Sequence, residues 1–583
     1  MTATDVDLYK LLIVGGGPAS IGIFIRAART GFLPRLLHPA LHGEVSDVET
    51  SGRVGMKQKG VAIVHDGDAS TFGSGNLGKY AINSNTFARS LLSSVLDEKP
   101  DLDPPESIKE TFLERAKDHE STRKLEEVGN APVCLVDFGR FLQNVGACLI
   151  KEISAYTGTS KCLLNSRAAR FERLESGIYR VEVTENERVI TLHTEHLVLA
   201  MGGRQDLPAQ LELNPAYRSK SFLSDDCLRD DGFARLRDHL LQSDGRKVCI
   251  VGGSHSSFSV AWMLLNKGKP QRAKSPLSPI SVTVPTDETS TVAAKSDLPR
   301  SPTSTVEADA GTSTAGYSID PSTELSPPPS VLKPKTQSRS QTLAFQPRDI
   351  TILHRSPIRC YYSTRKDAEA DGADGSRVDR TGCVNTFTGL REDAKHLYKD
   401  IKTGKECRVR LFQVNQQGCQ NLTVKAYESA NAIVWCCGYR SRMLPGVDEH
   451  GTPYKVHEDH GVVKLDLQAR VQLLLPSKAV VAASNLYGVG LGFSLRSHVD
   501  EMSMETRADG VTVYHRRGAT LVLAALFGSE VFGKDAQSFE EMVDKNDKNR
   551  KKKDPSGNGV ETSLVDKVKR WRLVERSVHT GDS

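Results

Sequence analysis

The sequence predicts an α/β fold, and three observations carry the prediction. Two apolar runs each end in glycines and pass into a helical pattern. The first is Leu11-Leu12-Ile13-Val14 into Gly15-Gly16-Gly17-Pro18-Ala19-Ser20, and the second is Val248-Cys249-Ile250-Val251 into Gly252-Gly253-Ser254-His255-Ser256. Two later strands, Leu197 to Gly203 and Ala432 to Tyr439, close on small residues and glycine and echo each other. Runs this apolar suit parallel strands covered on both faces.

Lys10 to Val14 reads as the first strand and Ile21 to Arg29 as an amphipathic helix. Gly15 and Gly17 fall on a GxGxxG-type fingerprint, Ser20 takes its third position, and Pro18 sits at the helix start, where a missing N–H is harmless. Such a turn lets backbone approach a pyrophosphate while the helix N-terminus faces the negative charge. Gly15, Gly17, Pro18, Ala19 and Ser20 are therefore candidate dinucleotide contacts. The acidic residue that would hold a ribose hydroxyl about 20 residues further on is not evident after Arg35-Leu36-Leu37-His38.

Phe72 to Asn85 is too rich in glycine and amide side chains for a core element and reads as a site loop, with Asn76, Ser84 and Asn85 as candidate contacts. A structural cluster of turns is the alternative. Tyr179 to Thr184 alternates, Val189 to His193 answers it, and the next strand runs into Met201 and Gly202.

In the second turn Gly252 and Gly253 supply the bend, Ser254 replaces the glycine that normally admits phosphate, and Ser256 opens the helix. A plain strand-to-helix turn capped by serines is the alternative. Asp349 to Arg355 reads as the partner strand, with Arg355 where a 2′-phosphate would be met, which favours NADPH over NADH. The alternative is a solvated Arg355.

Gly268 to Gln346 is crowded with Ser, Thr and Pro, nearly lacks aromatic residues and keeps no period, so it reads as a disordered insertion. Loop closure entropy grows slowly with length, so the unit tolerates it. Four Ser-Pro pairs, at Ser275, Ser278, Ser301 and Ser326, suit proline-directed phosphorylation or an inert spacer equally. Gly404 to Lys425 has hairpin-like alternation, Ala479 to Ala483 reads as a strand, and Leu486 to Phe493 returns glycines to the site with Gly490 and Leu491. Thr520 to Phe527 is helical in pattern.

The chain accordingly divides into 1–206 and 436–535, two parts of one dinucleotide-binding unit, and 207–435, a second unit carrying the insertion at 268–346. A polar tail covers 536–583. The insertion dilutes the hydrophobic content to 38% of 583 residues, which still leaves core-forming strands. A net charge of +5, spread among acids, gives no nucleic-acid signature. The run Lys548 to Lys553 reads as a solvated tail. Eleven cysteines without CxxC or a His-Cys cluster argue against a metal site or a disulfide framework. With no stretch long enough to span a membrane and a polar N-terminus, a cytoplasmic location is expected.

On these motifs the chain resembles the flavin-dependent oxidoreductases with two dinucleotide-binding domains, and among them the flavin monooxygenases that include the lysine and ornithine N-hydroxylases. Gly15, Gly17, Pro18, Ala19 and Ser20 match a GxGPAS-like FAD turn. Ala200-Met201-Gly202 stands for an ATG-like strand end, Gly252-Gly253-Ser254 for the NADPH turn, and Cys436-Cys437-Gly438-Tyr439 for an ATGY-like segment, with two cysteines in place of Ala and Thr. The resemblance implies an α/β architecture of two Rossmann-like domains, FAD and NADPH as cofactors, and Gly438 and Tyr439 among the site residues. It also implies transfer of one oxygen from O2 to a small nucleophilic substrate. The alternatives are a flavin oxidase or dehydrogenase and a non-catalytic flavoprotein serving as a redox-responsive platform. No CxxxxC follows the first strand, which counts against the disulfide reductase branch.

Overall fold

In this computed structural model the described residues are 6–39, 56–156, 158–267, 343–373, 375, 378, 382–385, 389–415, 420–466, 468–493 and 518–535. Residues 268–342 and 536–583 lie outside them, and so do the Ser-Pro pairs and the Lys548 to Lys553 run.

The first glycine turn joins strand β1 (Val6–Val14) to helix α1 (Pro18–Arg29). Strand β2 (Met56–Val64) pairs in parallel with β1, and the long helix α2 (Leu135–Ala155) covers the sheet. Strand β3 (Arg188–Leu199) merges two segments that periodicity separated. Its first half pairs antiparallel with Tyr179–Glu185, and its second half lies parallel to β1. After β3 the chain crosses out through β4 (Gly203–Arg204).

The second turn joins β5 (Val248–Val251) to helix α3 (His255–Asn266). Strands β6 (Ile350–His354), β7 (Val409–Gln413) and β8 (Ala432–Trp435) complete a parallel sheet of five, in the order Ser221–Leu223, β8, β5, β6, β7. The chain returns through β9 (Arg440–Ser441), which pairs antiparallel with β4, so the outward and inward crossings run side by side. Strand β10 (Val480–Gly488) rejoins β3 in parallel, and helix α4 (Ala519–Phe527) packs on the first sheet with α1.

Alternation along β1 places Leu11 and Ile13 against α1, α2 and α4, while Tyr9, Leu12 and Val14 face the opposite core. In the second sheet Val248 and Ile250 pack with Phe258, Ala261 and Leu264 of α3, and Cys249 faces Tyr427 and Ile433.

Two expectations are corrected. Among its described residues Gly404 to Lys425 holds no hairpin: the next element after β7 is a helix, Gln420–Ser429. The next strand, β8, lies parallel to the others on the far side of β5, and parallel strands require a crossover rather than a tight turn. Leu343 and Phe345, expected within the insertion, are buried in the second core and pack with Val248 and Ile350.

Candidate functional site

Gly15 adopts φ +109°, and a Cβ there would lie 2.4 Å from the Ala200 carbonyl oxygen, so only glycine fits between β1 and the end of β3. The Gly15 N–H donates to Val64 O at 2.8 Å, which seats the turn on the end of β2. Gly17 is different: the nearest atom to a Cβ there would be Gly75 Cα at 4.0 Å. Its role is an open surface at the start of α1, where no side chain caps the helix.

That helix start opens on a cleft of about 1390 Å³, larger than the roughly 300–1,000 Å³ of a site for one drug-sized ligand. Of the residues singled out in the sequence, Gly15, Gly17, Pro18, Ala19, Asn76, Ser84, Asn85, Met201, Gly202, Ser256, Tyr439, Gly490 and Leu491 line it. Residues from the two turns, the 72–85 loop, both crossing segments and the end of β10 thus converge on one space.

Six others lie off its wall. Ser20 is fully buried beneath the turn, in the place where a small third residue lets helix and strand pack closely. Gly252 and Gly253 are consumed by the bend: a Cβ would lie 2.7 Å from Ser257 Oγ at Gly252 and 2.8 Å from His354 Cβ at Gly253. Ser254, Arg355 and Gly438 are exposed outside the cleft. Ser84 reaches the cleft, but its Oγ donates to Thr86 O and accepts from Val133 N at 3.2 Å, so its hydroxyl holds the loop.

Several wall residues escaped the sequence reading. Asp66 stands two residues past the end of β2 and carries an exposed side chain on the cleft. The intervening 40–55 segment places it far beyond the spacing at which an acid was sought. Beside it, buried His65 stacks edge-on against Phe72, and its Nε2 meets Thr71 Oγ1 at 2.9 Å. Thr71 Oγ1 donates to Asp68 O at 3.1 Å, so it accepts from His65 and fixes the Nε2–H tautomer. Burial lowers the His65 pKa and keeps the ring neutral.

At the start of α3, His255 lines the cleft with Nε2 3.1 Å from Gly389 O. Burial first, and then the Arg391 guanidinium, lowers its pKa to about 4. It therefore presents a neutral imidazole at physiological pH.

Across the cleft Asp225 Oδ1 accepts from the hydroxyls of Tyr80 and, at 2.9 Å, Tyr439, while its Oδ2 receives Arg229 Nη2 at 2.5 Å. Burial and then the Asp225 charge push the Tyr80 phenol pKa upward, and burial and then Tyr80 do the same for Tyr439. Both phenols remain protonated donors. The vicinal thiols are not poised for redox chemistry, since burial pushes Cys436 up to about 12 and raises Cys437.

Among the described residues no His, Cys, Asp and Glu cluster could hold a metal ion, and no helix is long and apolar enough to cross a membrane.

No family model and no curated protein matches the chain. Among solved structures it is similar to the FAD-bound cadaverine monooxygenase DfoA of Erwinia amylovora, with 12% identity over 90% of this chain and 95% of that one and a TM-score of 0.44. It is also similar to the ornithine N-hydroxylase KtzI of Kutzneria sp. 744, with 11% identity over 89% and 99% and a TM-score of 0.42. A third likeness is to the bacillithiol disulfide reductase Bdr of Bacillus cereus, with 9% identity over 89% and 99% and a TM-score of 0.37.

Proposed function

We propose that the chain is an FAD-dependent, NADPH-using oxidoreductase, and within that class a monooxygenase that transfers one oxygen from O2 to a small nucleophilic substrate. One observation carries the reading: the first turns of two glycine-turn helices, Pro18-Ala19 and His255-Ser256, open on the same cleft.

The residues present fit a dinucleotide at the first turn. Gly17 leaves its surface open, the uncapped start of α1 faces the cleft, and Asp66 stands beside it as an acceptor for a ribose hydroxyl. Gly15, Gly17, Pro18 and Ala19 would hold the FAD pyrophosphate, with Ser20 acting from beneath. Met201, Gly202, Gly490 and Leu491 would offer backbone and apolar surface along the rest of the molecule. Gly252, Gly253, Ser254 and Ser256 would hold NADPH, and Arg355 its 2′-phosphate. Tyr439 would belong to the wall between the cofactors, with Gly438 turning the chain beside it, and Asn76, Ser84 and Asn85 to the loop facing them. Held by these residues, FAD would supply two-electron redox chemistry between the nicotinamide and O2. This chain's residues would bind and orient the two nucleotides, and Leu135, Phe138 and Leu491 give the cleft apolar wall.

The test is an anaerobic visible titration of the purified protein with NADPH and then NADH, followed by product analysis on re-aeration with amines and sulfides. Flavin bands that bleach faster with NADPH, and substrate oxygenation coupled to O2 uptake, are expected. Bleaching with peroxide as the only product identifies an oxidase. A colourless protein that takes up no FAD overturns the proposal.

A further inference from the structure

The Asp225 carboxylate gathers chain segments that are remote in sequence. Tyr80 comes from the loop after β2, and Tyr439 from the return crossing between β8 and β9. Asp225 itself opens the short helix Ser224–Cys227 of the second unit. Its backbone N–H donates to Gln205 Oε1 at 2.8 Å, and Gln205 lies just past β4 on the outward crossing. Gln205 and Ser224 also exchange hydrogen bonds at 3.0 and 3.1 Å. Arg229 closes the group, with Nη2 on Oδ2 at 2.5 Å and Nε on Asp225 O at 2.8 Å. The backbone repeats the tie, since Ala81 N donates to Leu228 O at 2.8 Å. Asp225 therefore fastens the loop of the first unit and the return crossing to the second unit through its carboxylate, and the outward crossing through its backbone N–H.

We propose that Asp225 is a positioning residue that locks the two nucleotide-binding units at a fixed separation across the cleft. This rests on the function proposed above, and it makes Asp225 a determinant of electron transfer between the two cofactors. The antiparallel β4–β9 pair contributes only two residues from each crossing and would bend easily by itself. Hydrogen bonds to a carboxylate are roughly twice as strong as neutral ones, and a buried network polarises its own members. Hydride transfer needs near-contact geometry, and a misplacement of about 1 Å costs on the order of 100-fold in rate. A lock between the units therefore bears on rate more than on binding.

Asp225→Asn keeps the shape but removes the negative charge that both phenols share at Oδ1, and it sets an amide NH2 donor against the Arg229 guanidinium donor in place of Oδ2. In the FAD-loaded protein, flavin content and NADPH affinity should stay within about twofold, while the anaerobic reduction rate at saturating NADPH falls about 10- to 100-fold. Tyr80→Phe and Tyr439→Phe should each slow reduction, and the double variant should be no slower than Asp225→Asn, because the three groups act as one unit. A reduction rate unchanged in Asp225→Asn, or a rate lost in proportion to flavin content, overturns the proposal.

Hydrogen exchange separates this inference from the functional reading. Amides of 440–441, next to Tyr439, and of their pairing partners 203–204 should exchange about tenfold faster in Asp225→Asn, whether or not NADPH reduces the wild type. Unchanged exchange there removes the lock even if the flavin chemistry holds, and faster exchange in a protein that NADPH cannot reduce keeps the lock and refutes the function.

Discussion

The two glycine turns repeat one construction almost residue for residue and part at the third turn residue and at the end of the second strand. Gly15 N donates to Val64 O and Gly252 N to Leu353 O, both at 2.8 Å. Ala200 N returns to Val14 O, and Cys436 N to Val251 O, again at 2.8 Å. A Cβ on Gly16 would strike His65, and one on Gly253 would strike His354. Gly202 and Gly438 both take positive φ, +71° and +52°, where the chain leaves each sheet.

The strand registers Val14 to Val64 and Val251 to Leu353 also make Asp66 and Arg355 equivalent, and Gly17 and Ser254. One unit thus ends its second strand in an acid and the other in a cation. A carboxylate suits a ribose diol and a guanidinium suits a phosphate. Packing constrains the shared positions, while the charge at the strand end is what distinguishes the two units, and on the proposed function it would set which nucleotide each takes.

Gly15→Ala gives the largest expected effect, because its Cβ would meet immovable backbone at a φ that alanine resists. Loss of about 3 kcal/mol or more, read as absent flavin and a collapsed melting temperature, is expected. Gly252→Ala should be milder, since its closest contact is the Ser257 hydroxyl, which can rotate.

Both units carry a buried histidine whose pKa burial lowers, His65 and His255, and the shift is large at His255. His255 ionises at about 4 in the folded chain against about 6.5 unfolded. Its contribution is complete above the unfolded value and is lost as pH falls through that window, on the order of 3 kcal/mol in all. Urea melts from pH 7 to 4 should show this slope, and His255→Gln should flatten it.

Arg355→Ala should weaken NADPH about 10- to 100-fold, the value of one charged hydrogen bond, and leave NADH unchanged. Asp66→Asn should affect FAD retention instead. Equal losses for NADPH and NADH would erase the contrast between the strand ends. The smallest effect belongs to Gly17→Ser, which copies Ser254 into the first turn. With open space around its Cβ, stability should move by no more than about 0.5 kcal/mol while FAD affinity falls, separating the ligand role of this position from its structural one.

Much of this plan was legible in the chain. Apolar strands before glycine are strong local signals, and the Ala432 to Tyr439 echo of Leu197 to Gly203 identified both crossings. Asp66 was hidden because the segment before β2 stretched the usual spacing. His255 was noted only as part of a turn, since its neutral state depends on Gly389 and Arg391 far along the sequence. The Gly404 to Lys425 error arose because alternation in a short strand does not reveal which side of the sheet comes next.

Local sequence by itself determined the turns, since close approach of backbone to backbone at Gly15 admits no other residue and Gly252 takes a positive φ that favours glycine, and it determined the strands through burial on both faces. Only the tertiary structure decided which side chains share the cleft. Asp225, Tyr80 and Tyr439 carry no common spacing, and they meet because the two crossings pair and bring chain ends hundreds of residues apart within one hydrogen bond.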